Sequence, residues 1–249
     1  MNEEIDPKAV LDFLKPRLGA RFKTWLGICT HCGLCADTCH YYMASGNDPK
    51  MIPSYKIRFL NEILKKKGKV DRAYLQKMYD TVYYECNMCR RCTVYCPFGI
   101  DMALLVALER ALLFSQGLAP EGLVKAIENY NEFGNQMAIT KQDWVETVEW
   151  CEEETAEELV GLKIPIDKKG AKIMYTVNAR EPKFYPQDMM EAAKIFHVAG
   201  EDWTLPSESG WDDTNLGMFC GDVKTATMVV KNTFERAEEL GVQQVAITE

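Results

Sequence analysis

One cysteine pattern occurs twice in this chain, as ICTHCGLCADTCH at residues 28–40 and as ECNMCRRCTVYCP at residues 85–97. Each copy has the spacing CxxCxxCxxxC, and together they contain eight of the ten cysteines. A [4Fe-4S] cluster takes four thiolates, and three cysteines at intervals of three residues allow one tight loop to wrap a cluster. The repeat therefore predicts a domain built around two [4Fe-4S] clusters.

The fourth cysteine of each motif is set apart from the first three. In two-cluster ferredoxins this fourth cysteine ligates the other cluster, which would hold the clusters close enough for electron tunnelling. The predicted ligands of the first cluster are Cys29, Cys32, Cys35 and Cys96. The predicted ligands of the second cluster are Cys39, Cys86, Cys89 and Cys92.

Zinc and disulfides are the alternatives for so many cysteines. Structural zinc sites use pairs of ligands with a longer spacer, and they rarely place three ligands within seven residues twice over. A disulfide framework needs an oxidising compartment and is typical of short chains. The amino-terminal stretch MNEEIDPKAV has neither the basic start nor the apolar run of a signal peptide. The thiols therefore indicate a reducing cytoplasm.

The composition argues against some partners. The formal net charge is -8 and the sequence pI is about 5.1, whereas nucleic-acid binding selects basic surfaces. The longest apolar stretch, residues 102–114, is interrupted by Glu109 and Arg110 and is too short to cross a bilayer. We expect a soluble protein with no nucleic-acid partner, which docks on a membrane only through another subunit.

Helical periodicity runs through the first 160 residues. A first helix is expected after the cap Asp6, and Asp101 is expected to cap another. Further helices are predicted at residues 53–66, 71–84, 102–116, 121–133 and 141–152. The sequence thus predicts an α-helical ferredoxin domain over residues 1–160, with helices filling the wide gap between the two motifs.

The pattern changes near residue 162. Residues 162–170 are typical of a linker, and strand candidates follow at residues 171–177, 202–205 and 242–248, the last of them central in character. Helices are predicted between them, at residues 187–198 and 223–240. This alternation implies a parallel sheet in an α/β domain over residues 171–249, so the fold class is α plus α/β. So few strands leave the sheet uncovered, which predicts a longer polypeptide or a partner that completes it.

Other residues carry weaker signals. Cys220, in the segment FCGD, precedes a helix start that would favour a thiolate or a bound cluster, although a lone cysteine is commonly a small buried hydrophobe. Arg90 and Arg91 would raise the potential of the second cluster, unless both side chains point to water. His40 replaces the usual proline after a motif and could donate a hydrogen bond, carry a proton or simply be solvated.

With these motifs, the wide helical spacer and FCGD, the chain resembles the iron-sulfur subunits of the heterodisulfide reductase superfamily. The likeness is greatest to the DsrK-type cytoplasmic subunit of membrane complexes linked to dissimilatory sulfite reduction. It rests on ICTHCGLCADTC and ECNMCRRCTVYCPFGID in the cluster domain. In residues 171–249 it rests on KIMYTVNAREPKFYPQDMMEAAKIF, SESGWDDTNLGMFCGD and AEELGVQQVAITE, which resemble the first half of a cysteine-rich CCG domain.

The resemblance implies a further site. In this superfamily CCG domains bind an additional cluster at which a disulfide is split. Here Phe219 stands at the first cysteine position of the motif, and only Cys220 and Gly221 match it. Cys220 is therefore a candidate catalytic residue, and a third, non-cubane cluster is expected only if more of the polypeptide or another chain completes the CCG region.

Three functions are consistent with this resemblance. The first is an oxidoreductase subunit that relays electrons from a membrane quinone or haem partner to a small thiol-disulfide protein or a heterodisulfide. It would work with other redox subunits in anaerobic sulfur metabolism, in the cytoplasm and peripheral on the inner membrane face. The second is a non-catalytic electron-transfer and assembly subunit. The third, disfavoured by residues 171–249, is the iron-sulfur subunit of a flavin-dependent glycolate, lactate or glycerol-3-phosphate oxidising enzyme.

Overall fold

The computed structural model describes residues 5–248, which form two compact units. The first unit comprises residues 5–120 together with the tripeptide Phe219–Gly221, and the second comprises residues 121–218 and 222–248. Residues 1–4 and 249 lie outside the described part of the chain. The first residues of the first predicted domain and of the stretch MNEEIDPKAV, and the last residue of the second predicted domain, therefore lie outside the described residues.

The first unit is built of helices and loops. Its α-helices are α1 (Pro7–Leu14), α2 (Ala20–Ile28), α3 (His40–Ala44), α4 (Pro53–Lys56), α5 (Arg58–Lys65), α6 (Arg72–Tyr79), α7 (Arg91–Val94) and α8 (Met102–Ser115). A 3-10 turn at Pro49–Met51 precedes α4, and a π-helical segment at Asp80–Tyr84 continues α6. The predicted helix over residues 53–66 is divided at Ile57, and the predicted helix over residues 71–84 changes to π geometry at Asp80.

Aspartates begin three of these helices. The carboxylates of Asp6, Asp71 and Asp101 accept hydrogen bonds from backbone N–H groups in the first turns of α1, α6 and α8. Each bond satisfies a donor that a helix start otherwise leaves without a partner. The predicted caps Asp6 and Asp101 are confirmed.

Helix α8 lies in the core of the first unit. Ten of its fourteen residues are buried, around most of its circumference. Leu105 and Leu112 are fully buried with Leu14 of α1 and Leu60 of α5, and each such leucine contributes about 1.5–3 kcal/mol through removal of apolar surface from water. Among the described helices, none combines the length and the apolar character needed to span a membrane.

The second unit combines helices with a small sheet. Its elements are α9 (Glu121–Phe133), α10 (Lys141–Glu158), β1 (Ile173–Tyr175), α11 (Arg180–Phe184), α12 (Pro186–Ala199), β2 (Trp203–Thr204), α13 (Leu216–Cys220, of which Phe219 and Cys220 belong to the first unit), α14 (Val223–Leu240) and β3 (Gln244–Ala246). The strands are parallel, in the order β2-β1-β3. The predicted fold class, α plus α/β, is confirmed. β1 is the central strand of the described sheet, whereas the sequence pattern favours a central position for β3.

The contact-based division falls at residue 120, while the first predicted domain extends to residue 160. The difference arises from α10, which places Trp144, Val148 and Cys151 in the core of the second unit. Trp144 stacks on Trp211 with ring centroids 4.2 Å apart. Helical periodicity identifies such a helix but does not reveal which core it joins.

The predicted linker over residues 162–170 packs on the second unit. Leu162 and Ile164 are buried in its core, and Ile166 forms a parallel bridge with Leu205. Apolar residues at alternate positions explain this packing, because they allow an extended segment to bury one side. The segment is therefore an ordered part of the second unit's core.

Candidate iron-sulfur site

The two cysteine motifs bend at matching positions. In the first motif His31 and Gly33 have φ angles of 55° and 86°. Met88 and Arg90 occupy the same two places of the second motif, with φ angles of 55° and 62°. Residues other than glycine adopt this left-handed region at a cost. The shared bends therefore show one constrained loop conformation used twice.

The first motif and the end of the second enclose a space of about 300 Å³, here called the first cavity. Its cysteines are Cys29, Cys32, Cys35 and Cys96. The other residues of its wall are Thr30, His31, Gly33, Ser54, Pro97, Phe98, Ile100 and Met102. Among the described residues that line this cavity there is no lysine or arginine.

The second cavity encloses about 430 Å³. Its cysteines are Cys39, Cys86, Cys89 and Cys92. Unlike the first cavity, it has cationic side chains in its wall, namely those of Lys56, Arg90 and Arg91. Each cavity thus takes three cysteines from one motif and one from the other, which is the grouping that crossed ligation requires.

The donor set of each cavity fits a [4Fe-4S] cluster, because four cysteines line each cavity and such a cluster takes four thiolates. Among the described residues, no group of three or more histidine, cysteine, aspartate or glutamate side chains converges to hold a single metal ion. The cysteine sets named above would hold the clusters, and these would supply one-electron transfer.

The cysteines raise one another's pKa. The pKa of the Cys92 thiol is raised to about 12, first by burial and then by Cys86, Cys35 and Cys39. Burial also raises the pKa of Cys35 and of Cys86. Thiolates in such surroundings require nearby positive charge, which bound iron supplies.

Met102 separates the two cavities. This first residue of α8 lines both of them and is only 3% exposed. The consecutive residues Pro53 and Ser54, at the start of α4, line the second and the first cavity respectively. Met102 is therefore part of the wall of both cavities, and α4 contributes a residue to each.

Lys56 is a buried cation in the wall of the second cavity that the sequence analysis did not single out. It is 2% exposed, donates to the carbonyl oxygen of Glu85, and lies with Nζ 4.9 Å from the centre of the Tyr41 ring. A lysine is buried only when its charge has partners. Its place between Tyr55 and Ile57 gives little signal, because alternating charges on a short helix normally face water.

Arg110 is a second buried cation, 3% exposed, and it joins two parts of the first unit. Its guanidinium donates to the carbonyl oxygens of Val82 and Cys86, and also to that of Phe219 in the tripeptide. Arg110 thus connects the second motif to the Phe219–Gly221 segment. The charged pair within the apolar stretch over residues 102–114 was the available sequence signal.

Arg90 and Arg91 lie on the outer side of the second cavity. The side chain of Arg90 is 64% exposed, and its Nη2 lies 2.6 Å from Oδ2 of Asp101. Arg91 is exposed as well. Water therefore screens both charges, and a carboxylate offsets that of Arg90.

The two histidines near the motifs differ in position. His31 Nδ1 lies 3.9 Å from Cys29 Sγ, beside the first cavity. His40 begins α3, lines the second cavity, and packs against Tyr41 with ring centroids 4.6 Å apart. Its contacts are thus with the cavity wall and an aromatic ring.

Cys220 ends α13 and is fully buried. Its carbonyl oxygen accepts a hydrogen bond of 2.6 Å from the Tyr83 hydroxyl. Cys220 is not among the described residues that line the two cysteine cavities. Gly221 follows with φ of 95°, and a Cβ there would lie 2.5 Å from the backbone carbonyl of Arg110. The tripeptide therefore packs directly on α8.

Comparison with known proteins agrees with this architecture. A family model described as a 4Fe-4S dicluster domain matches residues 25–100, which include both cysteine motifs. The matched region and the two cysteine-lined cavities together indicate an iron-sulfur protein.

Proteins named Hdr-like menaquinol oxidoreductase iron-sulfur subunit are similar along nearly the whole chain. The second such iron-sulfur subunit of Archaeoglobus fulgidus is 28% identical over 96% of this chain and 46% of its own length. The counterpart in Archaeoglobus profundus is 28% identical over 94% of this chain and 45% of its own length. The chain is thus similar to these iron-sulfur subunits along nearly its whole length, and it spans about half the length of these curated relatives.

A shorter match supports the same family. One subunit of the dihydromethanophenazine:CoB--CoM heterodisulfide reductase of Methanosarcina mazei is 32% identical over 39% of this chain and 26% of its own length. No solved structure matches the chain significantly. The predicted resemblance to the heterodisulfide reductase superfamily is confirmed.

Proposed function

We propose that this chain is an electron-transfer subunit that holds one [4Fe-4S] cluster in each cavity by crossed ligation. The first cluster takes Cys29, Cys32, Cys35 and Cys96, and the second takes Cys39, Cys86, Cys89 and Cys92. The observation that carries the proposal is the grouping of eight cysteines around two cavities, each with one cysteine from the opposite motif.

The arrangement of the cavities suits a relay. Each bound cluster would supply transfer of one electron, and the shared wall of the two cavities would keep the two centres close to each other. Met102 supports direct transfer between them, because its buried side chain is shared by both cavity walls. The role of α8 is then to hold this partition in place from the core.

We place the relay between a membrane quinone or haem subunit and a thiol-disulfide acceptor, with other redox subunits in the same complex. The names of the Archaeoglobus relatives include menaquinol oxidoreductase, and that of the Methanosarcina relative includes heterodisulfide reductase, which supports the two ends of this route. The acceptor is a small thiol-disulfide protein or a heterodisulfide in anaerobic sulfur metabolism, as in the DsrK-type branch. The protein then works on the cytoplasmic face of the membrane.

Cys220 is the proposed residue nearest to the acceptor chemistry. The link through Arg110 supports electron exit from the second cluster toward Phe219–Gly221. One thiol cannot hold a cluster, so a third, non-cubane cluster would need further cysteines from a longer polypeptide or another subunit. The burial of Cys220 also suits a structural cysteine, and a substitution distinguishes the two roles.

Anaerobic reconstitution tests the clusters and their ligation. We expect about eight irons and eight sulfides per chain from two cubanes. Cys32→Ala and Cys89→Ala alter interior positions of the first and the second motif. Each should remove one electron paramagnetic resonance signal, which assigns that signal to the first or the second cluster. Cys96→Ala should remove the same signal as Cys32→Ala. If Cys96→Ala instead removes the signal that Cys89→Ala removes, the crossed ligation is refuted. A protein that binds only zinc and folds normally would refute the presence of the clusters.

The assembled membrane complex tests the function. Added quinol should reduce both clusters of the wild-type complex anaerobically, and a disulfide acceptor should reoxidise them. Cys220→Ala should stop the reoxidation while both cluster signals remain, whereas unchanged turnover would exclude a catalytic role for Cys220. If quinol reduces neither cluster in a fully loaded complex, the proposed electron donor is wrong.

A further inference from the structure

The walls of the two cavities differ in charge. Three cationic side chains line the second cavity, while the described wall of the first has no lysine or arginine. The potential of an iron-sulfur cluster depends on nearby charge, on hydrogen bonds and on solvent exposure. Because reduction adds negative charge to a cluster, a nearby cation stabilises the reduced form. The asymmetry therefore favours reduction in the second cavity.

The three cations are not equivalent. Arg90 and Arg91 are exposed, and Arg90 is paired with Asp101. Their fields are weakened by water and salt. Lys56 is 2% exposed, and its hydrogen-bond acceptor is a neutral carbonyl oxygen, that of Glu85. That carbonyl orients the ammonium without cancelling its charge, so Lys56 provides the strongest field in this wall.

Two further observations place this field at the ligands. The Lys56 ammonium donates to the carbonyl oxygen of Glu85, the residue that directly precedes Cys86. The Tyr41 ring, whose face stabilises a cation, lines the same cavity and lies beneath the ammonium. The charge of Lys56 is thus held in place from two sides, in the wall that also contains the four cysteines of the second cavity.

We propose that Lys56 sets the order of reduction, by raising the potential of the second cluster above that of the first. This inference rests on the proposed function, in which each cavity holds one cluster. The first electron from the donor then resides on the second cluster, and a second electron reduces the first. Lys56 acts here as a positioning charge and does not itself exchange electrons or protons.

The order of reduction implies a direction of electron transfer. Arg110 donates to the carbonyl oxygens of both Cys86 and Phe219. The cluster of higher potential is therefore the one whose ligand loop is joined to the Phe219–Gly221 segment. Electrons that enter at the first cavity would move downhill toward that segment.

A redox titration followed by electron paramagnetic resonance tests the proposal on the full, reconstituted chain. Lys56→Met should make reduction of the second cluster at least tenfold less favourable, which corresponds to about 59 mV for one electron. Lys56→Arg, which keeps the charge, should change it less than threefold. Arg91→Met is the matched control, because it removes an exposed cation from the same wall, and its effect should also stay below threefold.

The wild-type protein gives an independent answer if Lys56→Met fails to hold its second cluster. At one electron per chain, the signal should be the one that Cys89→Ala removes. If it is the signal that Cys32→Ala removes, or if Lys56→Met and Arg91→Met shift the second cluster equally, the proposal is overturned. A wild-type chain without two clusters would overturn the proposed function instead.

Discussion

Replacing Arg110 by methionine would remove the link between the second motif and the Phe219–Gly221 segment. Methionine keeps much of the aliphatic length of arginine but donates no hydrogen bond. The variant leaves the carbonyl oxygens of Val82, Cys86 and Phe219 without the guanidinium that they share. We expect local opening of the segment to become easier, with the rest of α8 retained.

The structure sets the size of the effect. A buried acceptor left without its donor costs about 1–3 kcal/mol, so three carbonyl oxygens give an upper range of about 3–9 kcal/mol. Water that enters the vacated space satisfies part of this demand, and we expect about 3 kcal/mol. That value corresponds to opening that is roughly a hundredfold more frequent.

Hydrogen exchange followed by mass spectrometry measures this opening in the reconstituted protein. Amides of residues 82–86 and 219–221 should exchange roughly a hundredfold faster in Arg110→Met, while those of α1 should not change. The exchange rates of Arg110→Lys should fall between those of the wild type and of Arg110→Met, because an ammonium cannot reach three acceptors as a planar guanidinium does. Unchanged exchange at residues 219–221 in both variants would refute the role of Arg110 as the link.

Two other predictions concern the same unit. Glu109 is fully buried, neither carboxyl oxygen has a hydrogen-bond partner among the described residues, and burial raises its pKa well above 4.5. The folded protein therefore keeps a proton that the unfolded chain releases, so the free energy of unfolding should fall as pH rises above about 4.5. Glu109→Met should remove the part of this fall that Glu109 causes and add about 1–3 kcal/mol to the free energy of unfolding at neutral pH. Urea unfolding at pH 5 and pH 8 measures both effects, and an equal change of the free energy of unfolding between these pH values in the two proteins would contradict the prediction. Gly221→Ala should speed hydrogen exchange at residues 219–221, because a Cβ there meets the backbone of Arg110. Gly117→Ala is the control for the backbone cost alone, since Gly117 has φ of 70° and no atom within 4 Å of an added Cβ. If each substitution speeds exchange around its own position equally, the close packing of Gly221 on α8 is excluded.

Local signals predicted several elements well. The predicted helices over residues 121–133 and 223–240 match α9 and α14 in their bounds. The end of α14 is encoded locally, because Gly241 adopts the left-handed conformation that closes a helix. The predicted grouping of the eight cysteines rests on their spacing together with the crossed ligation of two-cluster ferredoxins, and the cavities group the same residues.

Other features depend on contacts between distant residues. α2 was not predicted, because its apolar side chains are not gathered on one face. Lys56 resembles a surface charge in sequence, because its partner is a backbone carbonyl oxygen, which every residue possesses. No acidic residue in the sequence therefore marks Lys56 as buried. The order of the strands also depends on distant contacts, since β1 becomes the central strand only through pairing with β2 on one side and β3 on the other.

The crossed grouping of cysteines also has a mechanical consequence. With a cluster in each cavity, inorganic bonds would join chain positions that lie roughly 50 residues apart at the second cluster and roughly 65 at the first. Each cluster would thus close a long loop of polypeptide. By analogy with a disulfide across a loop of that length, each closure is worth about 4 kcal/mol of lost chain entropy in the unfolded state. The helices between the motifs lie within these loops. Oxidative loss of either cluster would therefore loosen the fold around the other, so damage to one centre should spread to both.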